Sequence, residues 1–471
     1  MKRIAKHAIP VLMTVLIGMT VLVLSCADDE RITIYDKNPR YWQYRGRPVL
    51  LLGGSDEDNL FNNPALMMRN LDTLAAVGGN YIRSTLSCRD EGNVWPYEKR
   101  GGLYDLDSFN PEFWNRLETS FREAGKRGII VQIEFWATFD YYRDNWLVNP
   151  FNPKNNSSYT TDNTRLETEW DFHPARKPQE FFFSVPACNN DTMLLSYQEA
   201  FVRKVLEVSL PYGNVLYALD NETRAPEEWA VYWGGFIRGE CEKLGVNIHL
   251  TEMWDQWDIT HEDHRRTYGH PEVFSFTDIS QNNWQEGQTH YDRLIWYRHN
   301  LASQPGGIRP MNNVKVYARL SGDRPNDYGI GIDRWWQNIF AGCASTRFHR
   351  PESGSGLDDD AQMMIGGART FTDAFDIFSC ESRIDLMGER DDNEAYCLAG
   401  DDGIYALYFP DGGTVVMKPR EKVADWRIRW FDVETAEFAS PETPDAIPGG
   451  GLVIDTPSDG KIWLALVEPA G

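Results

Sequence analysis

Acidic and amide side chains recur at one kind of position in this 471-residue chain, directly after a short apolar run. Asp56, Glu57 and Asp58 follow the run 48–53, and Arg83 and Ser84 stand at the end of 79–83. The run 128–135 closes on Glu134-Phe135-Trp136, and 214–219 is followed by Asp220-Asn221-Glu222-Thr223. Glu252, Trp254 and Asp255 come after 246–250, and Asp278, Ser280, Gln281 and Asn282 after 273–276. Arg319 and Asp323 come after 314–318, and His349 and Arg350 after 341–348. Carboxylates, amides and tryptophans on one rim are what cleavage of a glycosidic bond needs. One carboxylic acid protonates the leaving oxygen, a second carboxylate attacks or activates water, and aromatic faces hold a sugar ring. The histidines show no HxH or HExxH spacing, so neither a metal site nor a cofactor is expected.

Such a rim needs elements that bring the run ends together. Between the apolar runs lie amphipathic stretches: 113–127, with Trp114, Leu117, Phe121 and Ala124 on one face, then 196–210, 227–244 and 291–301. Near-continuous hydrophobic strands separated by helices imply parallel strands buried on both faces. Eight such repeats predict an α/β fold, a (β/α)8 TIM barrel with its chemistry at the C-terminal strand ends. A doubly wound open sheet is the alternative, but Gly53-Gly54-Ser55 lacks the spacing of a phosphate-binding turn. Past about residue 375 the runs shorten and alternate between Gly, Pro and Asp turns, which predicts a small antiparallel β-sandwich over 375–471. The barrel then occupies 26–374. Segment 139–186 reads as a long insertion overhanging the catalytic face.

The first residues read as an address. Lys2, Arg3 and Lys6 precede an apolar run from Ile9 to Leu24, then Ser25-Cys26. The run is short for a membrane span and has small residues at its end, so 1–25 is expected to be a signal peptide. The Cys at that point resembles a bacterial lipobox. That implies acylation at Cys26, export, and lipid anchoring to the outer membrane, the only membrane contact expected. The six other cysteines carry no metal-binding spacing. A net charge of −23 repels phosphate backbones, which argues against nucleic acid as a partner. Asp358-Asp359-Asp360 reads as a charged helix N-terminus.

Asn221-Glu222 after the fourth run resembles the Asn-Glu pair of clan A, cellulase-like glycoside hydrolases, where that Glu is the acid/base. The chain as a whole is similar to lipoprotein-type barrels of this kind that carry a C-terminal β-sandwich of the collagen-binding type. The resemblance implies a carbohydrate substrate and makes Glu222 the general acid/base, with a raised pKa that keeps it protonated. It also implies a Glu nucleophile ending the seventh strand, where this sequence has Leu320. Either the second carboxylate comes from another strand, with Glu252 and Asp278 ahead of Asp323, or hydrolysis is lost. In the second case the chain is a catalytically inactive surface glycan-binding lipoprotein. Trp136, Trp254 and Trp284 are candidates for stacking on sugar rings. Asp56, Glu134, Asn221, Gln281, Arg319, His349 and Arg350 are expected to line the substrate site, the arginines being suited to an acidic sugar.

Overall fold

The computed structural model describes residues 30–90, 92–174, 176–317, 328–421, 423, 425–448 and 450–470. Leu51–Gly54, Tyr81–Thr85, Ile130–Ala137, Val215–Asn221, Leu250–Thr251 and Ser345–Phe348 form one parallel sheet. These are the first, second, third, fourth, fifth and eighth strands of a barrel. Thr277–Asp278 and Met311–Asn312, the sixth and seventh, pair in parallel with each other. Two seams close the ring. The Ser275 N–H donates to Leu250 O at 3.0 Å, and Val316 bridges Phe348 in parallel register.

Each strand or its flank sends one apolar residue to the barrel floor. Leu51, Tyr81, Ile130, Leu216, Met253, Phe276, Val314 and Ala344 form one buried cluster around Trp42. Trp42 belongs to an antiparallel lead-in (Thr33–Ile34, Trp42–Tyr44, Arg47–Val49) that plugs the floor. Above it the interior turns polar. Trp42 Nε1 donates to Asn312 Oδ1 at 3.0 Å, Asn312 Nδ2 to the Tyr81 hydroxyl at 3.1 Å, and that hydroxyl to Gln132 Oε1 at 2.5 Å. Gln132 Nε2 then reaches Asp278 Oδ2 at 3.3 Å.

The fifth to seventh strands are shorter than their apolar runs suggest, and side-chain oxygens explain the seventh. The N–H groups of Asn313, Val314 and Lys315 donate to Ser345 Oγ, Ser280 Oγ and Asn313 Oδ1 at 2.9, 2.9 and 3.0 Å. Ser and Asn offer the backbone an alternative to the ladder.

The helices follow local rules. In Pro111–Lys126, Asn110 caps Glu112 N at 3.1 Å, Pro111 starts the first turn and Lys126 lies in the last, while Phe113, Trp114, Leu117, Phe121 and Ala124 turn inward. Asp358 caps Asp359–Thr372 through Ala361 N at 2.9 Å. A hairpin that the sequence reading did not identify, Tyr97–Arg100 with Leu103–Phe109, lies between the second and third strands.

The C-terminal segment forms two antiparallel sheets. Tyr396–Ala399, Tyr405–Phe409, Trp463–Pro469 and Trp426–Asp432 lie in one, and Thr414–Met417 and Gly451–Asp455 in the other. Leu407, Phe409, Val415, Met417, Trp430 and Ile454 fill the space between them. The other face of the larger sheet packs on the barrel helices, with Tyr408 against Trp336 and Phe340, and Phe431 against Phe371. One continuous apolar core therefore joins barrel and sandwich. At that seam the Tyr408 hydroxyl donates to Asp333 Oδ1 at 2.7 Å. Tyr408→Phe is expected to lower stability by about 1.5–3 kcal/mol, the range for a hydrogen bond to a charged group, read as a lower urea midpoint. Cys88, Cys188, Cys241, Cys343, Cys380 and Cys397 are all free thiols.

Candidate active site at the barrel mouth

Glu222 follows the last residue of the fourth strand, and its backbone takes a left-handed φ of 56°. For a residue with a Cβ this conformation costs of order 1–3 kcal/mol and persists where its surroundings enforce it. Here Thr138 Oγ1 donates to the carbonyls of Asn221 (2.5 Å) and Glu222 (3.2 Å), and Thr223 N–H donates to Met253 O at 2.9 Å. The side chain is 16% exposed. Its Oε1 is gripped by Lys315 Nζ, which also donates to Asn221 Oδ1 at 2.6 Å.

Lys315 changes the chemistry expected of Glu222. Burial alone would raise the carboxyl pKa. The Lys315 charge and hydrogen bond, with Arg83 and His349 nearby, outweigh it and hold the group below the usual range. Glu222 is thus ionised, contrary to the expectation of a raised pKa.

Beneath Glu222 lies a buried ion network. Arg83 grips Glu134 with both ends, at 2.7 and 2.8 Å, and reaches Asp58 Oδ1 at 3.0 Å. Asp58 also lies 3.4 Å from His349 Nε2, 3.6 Å from Arg347 and 3.7 Å from Arg350. Burial opposes ionisation of Asp58, but Arg83, His349 and Arg347 hold its pKa well below the ordinary value. Burial drives His349 down to about 4 despite Asp58, so at neutral pH its ring is uncharged.

Two other acids at the mouth shift upward. Burial raises Asp278 to about 6, with the Glu134 charge adding to it and the Ser280 hydrogen bond and Lys315 charge opposing it. Asp255 also rises to about 6, through burial first and the Glu222 charge second, against Arg224 and Lys315. An aromatic row borders Glu222. Trp284, 40% exposed, meets Tyr317 edge-on at 6.2 Å, and Tyr317 meets His349 at 5.1 Å. From the insertion, His173 packs on Phe139 and Tyr142 within range of the Glu222 charge, which brings that segment over the mouth.

The other residues singled out from sequence are placed differently. Glu252 is fully buried, with Oε1 on Arg266 Nε and Thr267 Oγ1 and Oε2 on Arg266, all at 2.9 Å. A carboxylate enclosed in this way cannot attack a sugar. Glu134 is likewise committed to Arg83. Trp136 packs at 5.0–5.8 Å on Phe201, Phe181 and Trp233, so its faces belong to the core and not to a ligand. Asp56 holds the Leu357 N–H at 2.9 Å. Gln281 is buried in the turn Ser280–Trp284. The Trp254 ring lies under the Arg266 guanidinium at 3.9 Å. It lines a cleft of about 750 Å³ beside the mouth with Arg224, Asp263, Arg265 and Arg266. Arg319, Leu320, Asp323 and Cys26 lie outside the described residues. Among the described residues no group of three or more His, Cys, Asp and Glu could hold a metal ion. Sequence reasoning missed Lys315 as the partner of Glu222, although a lysine between Val314 and Val316 in an apolar run was a visible signal. Asp255 it placed on the rim without a role.

No protein-family model matches the chain, and no curated protein matches it in sequence. Solved structures do match in fold. A protein titled simply a glycoside hydrolase superposes with a TM-score of 0.63 at 12% identity, covering 94% of this chain and 97% of its own. A glycoside hydrolase family 5 protein from Bacteroides vulgatus gives 0.63 at 12%, covering 94% and 93%. A maltogenic alpha-amylase from Thermotoga neapolitana gives 0.52 at 11%, covering 90% and 99%. The chain therefore has the (β/α)8 fold of these glycoside hydrolases, with antiparallel sheets at its C-terminal end.

Proposed function

We propose that the protein is a glycoside hydrolase whose reaction takes place at the barrel mouth around Glu222. The observation that carries this reading is a partly exposed carboxylate in a strained backbone at the C-terminal end of the fourth strand, with Asp255 in range of its charge. Glycosidic cleavage uses two carboxyl groups of unlike pKa, one held low and one pushed up. Asp278 and Asp255 both lie in the field of Lys315 and are the candidates for the second acid. Glu252 drops out because Arg266 and Thr267 occupy it. Asn221, His349, Arg350 and Trp284 border the sugar in this reading. The test is incubation with a panel of plant and microbial polysaccharides and oligosaccharides. Release of reducing ends or monosaccharides from at least one is expected. Binding without release across the panel would favour the inactive glycan-binding reading, which the capture of Glu222 by Lys315 keeps in play.

We also propose that the chain is exported and lipid-anchored through Cys26. Cys26→Ser is expected to abolish incorporation of labelled fatty acid and move the protein from the membrane to the soluble fraction. Unchanged labelling would contradict the anchor.

A further inference from the structure

We propose that the cleft of about 750 Å³ beside the mouth receives an acid substituent of the glycan, a carboxylate or a sulfate, on Arg224 and Arg265. This inference rests on the hydrolase reading above and names a substrate class for it.

Arg224 ties the cleft to the mouth. It stands two residues after Glu222, immediately beyond the bridge between Thr223 and Trp254, and its guanidinium lies 5.6 Å from the centre of the Trp254 ring. The protein itself leaves this guanidinium open. Asp255 and Asp263 stand 3.8 Å from it, beyond hydrogen-bond length, and its Nε is buried with no hydrogen-bond partner among the described residues. The indole N–H of Trp254 is in the same state. Arg265, on the cleft wall, is exposed and forms no ion pair among the described residues. Native proteins rarely leave buried donors without acceptors, and two open guanidiniums beside such donors mark a place for an acceptor-rich group.

The other charges of the wall are engaged. Arg266 holds Glu252 and the Ala225 carbonyl. Glu227 is held by His270 at 2.6 Å, and Asp263 lies between Arg224 and His261, the latter at 3.3 Å. An acid group can therefore take two nitrogens of one guanidinium side by side, the fork that a lysine does not offer. Arg350, at the mouth, is by contrast flanked by Asp58 and Glu352 at 3.7 and 3.4 Å. The net charge of −23 opposes a long polyanion, so the ligand that fits is a glycan with isolated acid groups among neutral sugars.

The experiment is calorimetric titration of the full chain with acid-bearing oligosaccharides and their neutral counterparts. One arm pairs glucuronate-, galacturonate- and mannuronate-bearing oligosaccharides with their carboxyl-reduced forms, and the other pairs sulfated oligosaccharides with their desulfated forms. At least one acid-bearing member is expected to bind about 10–100-fold more tightly than its neutral form, the gain from one charge-assisted contact. The arm in which this happens identifies the group as carboxylate or sulfate. The preference is expected to vanish in Arg224→Gln and to weaken in Arg265→Gln, whose exposed position makes it the variant that keeps the fold. Equal affinity for acid-bearing and neutral forms throughout, or a preference undiminished in both variants, would overturn the site and leave the hydrolase reading standing. A preference lost in the variants, with no member of the panel cleaved by wild type, would overturn the hydrolase reading and leave the cleft as a binding site.

Discussion

Glu222→Gln is expected to lower turnover about 10²–10⁴-fold while sugar binding persists, because the substitution keeps the shape and removes the charge. Gln retains an oxygen for Lys315 Nζ, so the strained turn after the fourth strand stays in place. The loss falls on kcat, since an anionic carboxylate or the water it activates acts only in the transition state. Reducing-end assays and calorimetric titration with a captured oligosaccharide separate the two effects. Unchanged hydrolysis would remove Glu222 from the mechanism.

Arg83→Met is the largest stability change expected. Its guanidinium holds two ends of Glu134, whose side chain is 0% exposed, and one end of Asp58, 9% exposed. Removing it leaves Glu134 buried without its partner, and breaking one side of such a pair costs about 3–5 kcal/mol. A drop of that size in urea unfolding at neutral pH is expected, with part of it recovered in the double variant Arg83→Met/Glu134→Gln. A shift below about 1 kcal/mol would show that the network is structurally idle.

Some of this molecule could be read from its residues because burial on both faces writes long apolar runs. The third and fourth strands, Ile130–Ala137 and Val215–Asn221, are the longest of the barrel and lie on the runs 128–135 and 214–219. The seventh was blurred because Ser280, Asn313 and Ser345 take over backbone hydrogen bonds, a tertiary arrangement that no local pattern announces. Glu222 stood out through its place after a strand. Glu252 and Glu134 shared that placement, yet Arg266 and Arg83 enclose them, and such long-range pairing is silent in sequence. Trp136 looked like a sugar platform and is a core residue because the helices after the third and fourth strands send Phe201 and Trp233 onto it. Lys315, set between Val314 and Val316 in an apolar run, meets Glu222 only through tertiary structure.

A structure with a bound monosaccharide or oligosaccharide tests the central claim most directly. The account predicts a sugar ring at the barrel mouth with its anomeric carbon facing Glu222 and Trp284 within stacking distance. A sugar seated elsewhere, with no ring atom near Glu222, would contradict it.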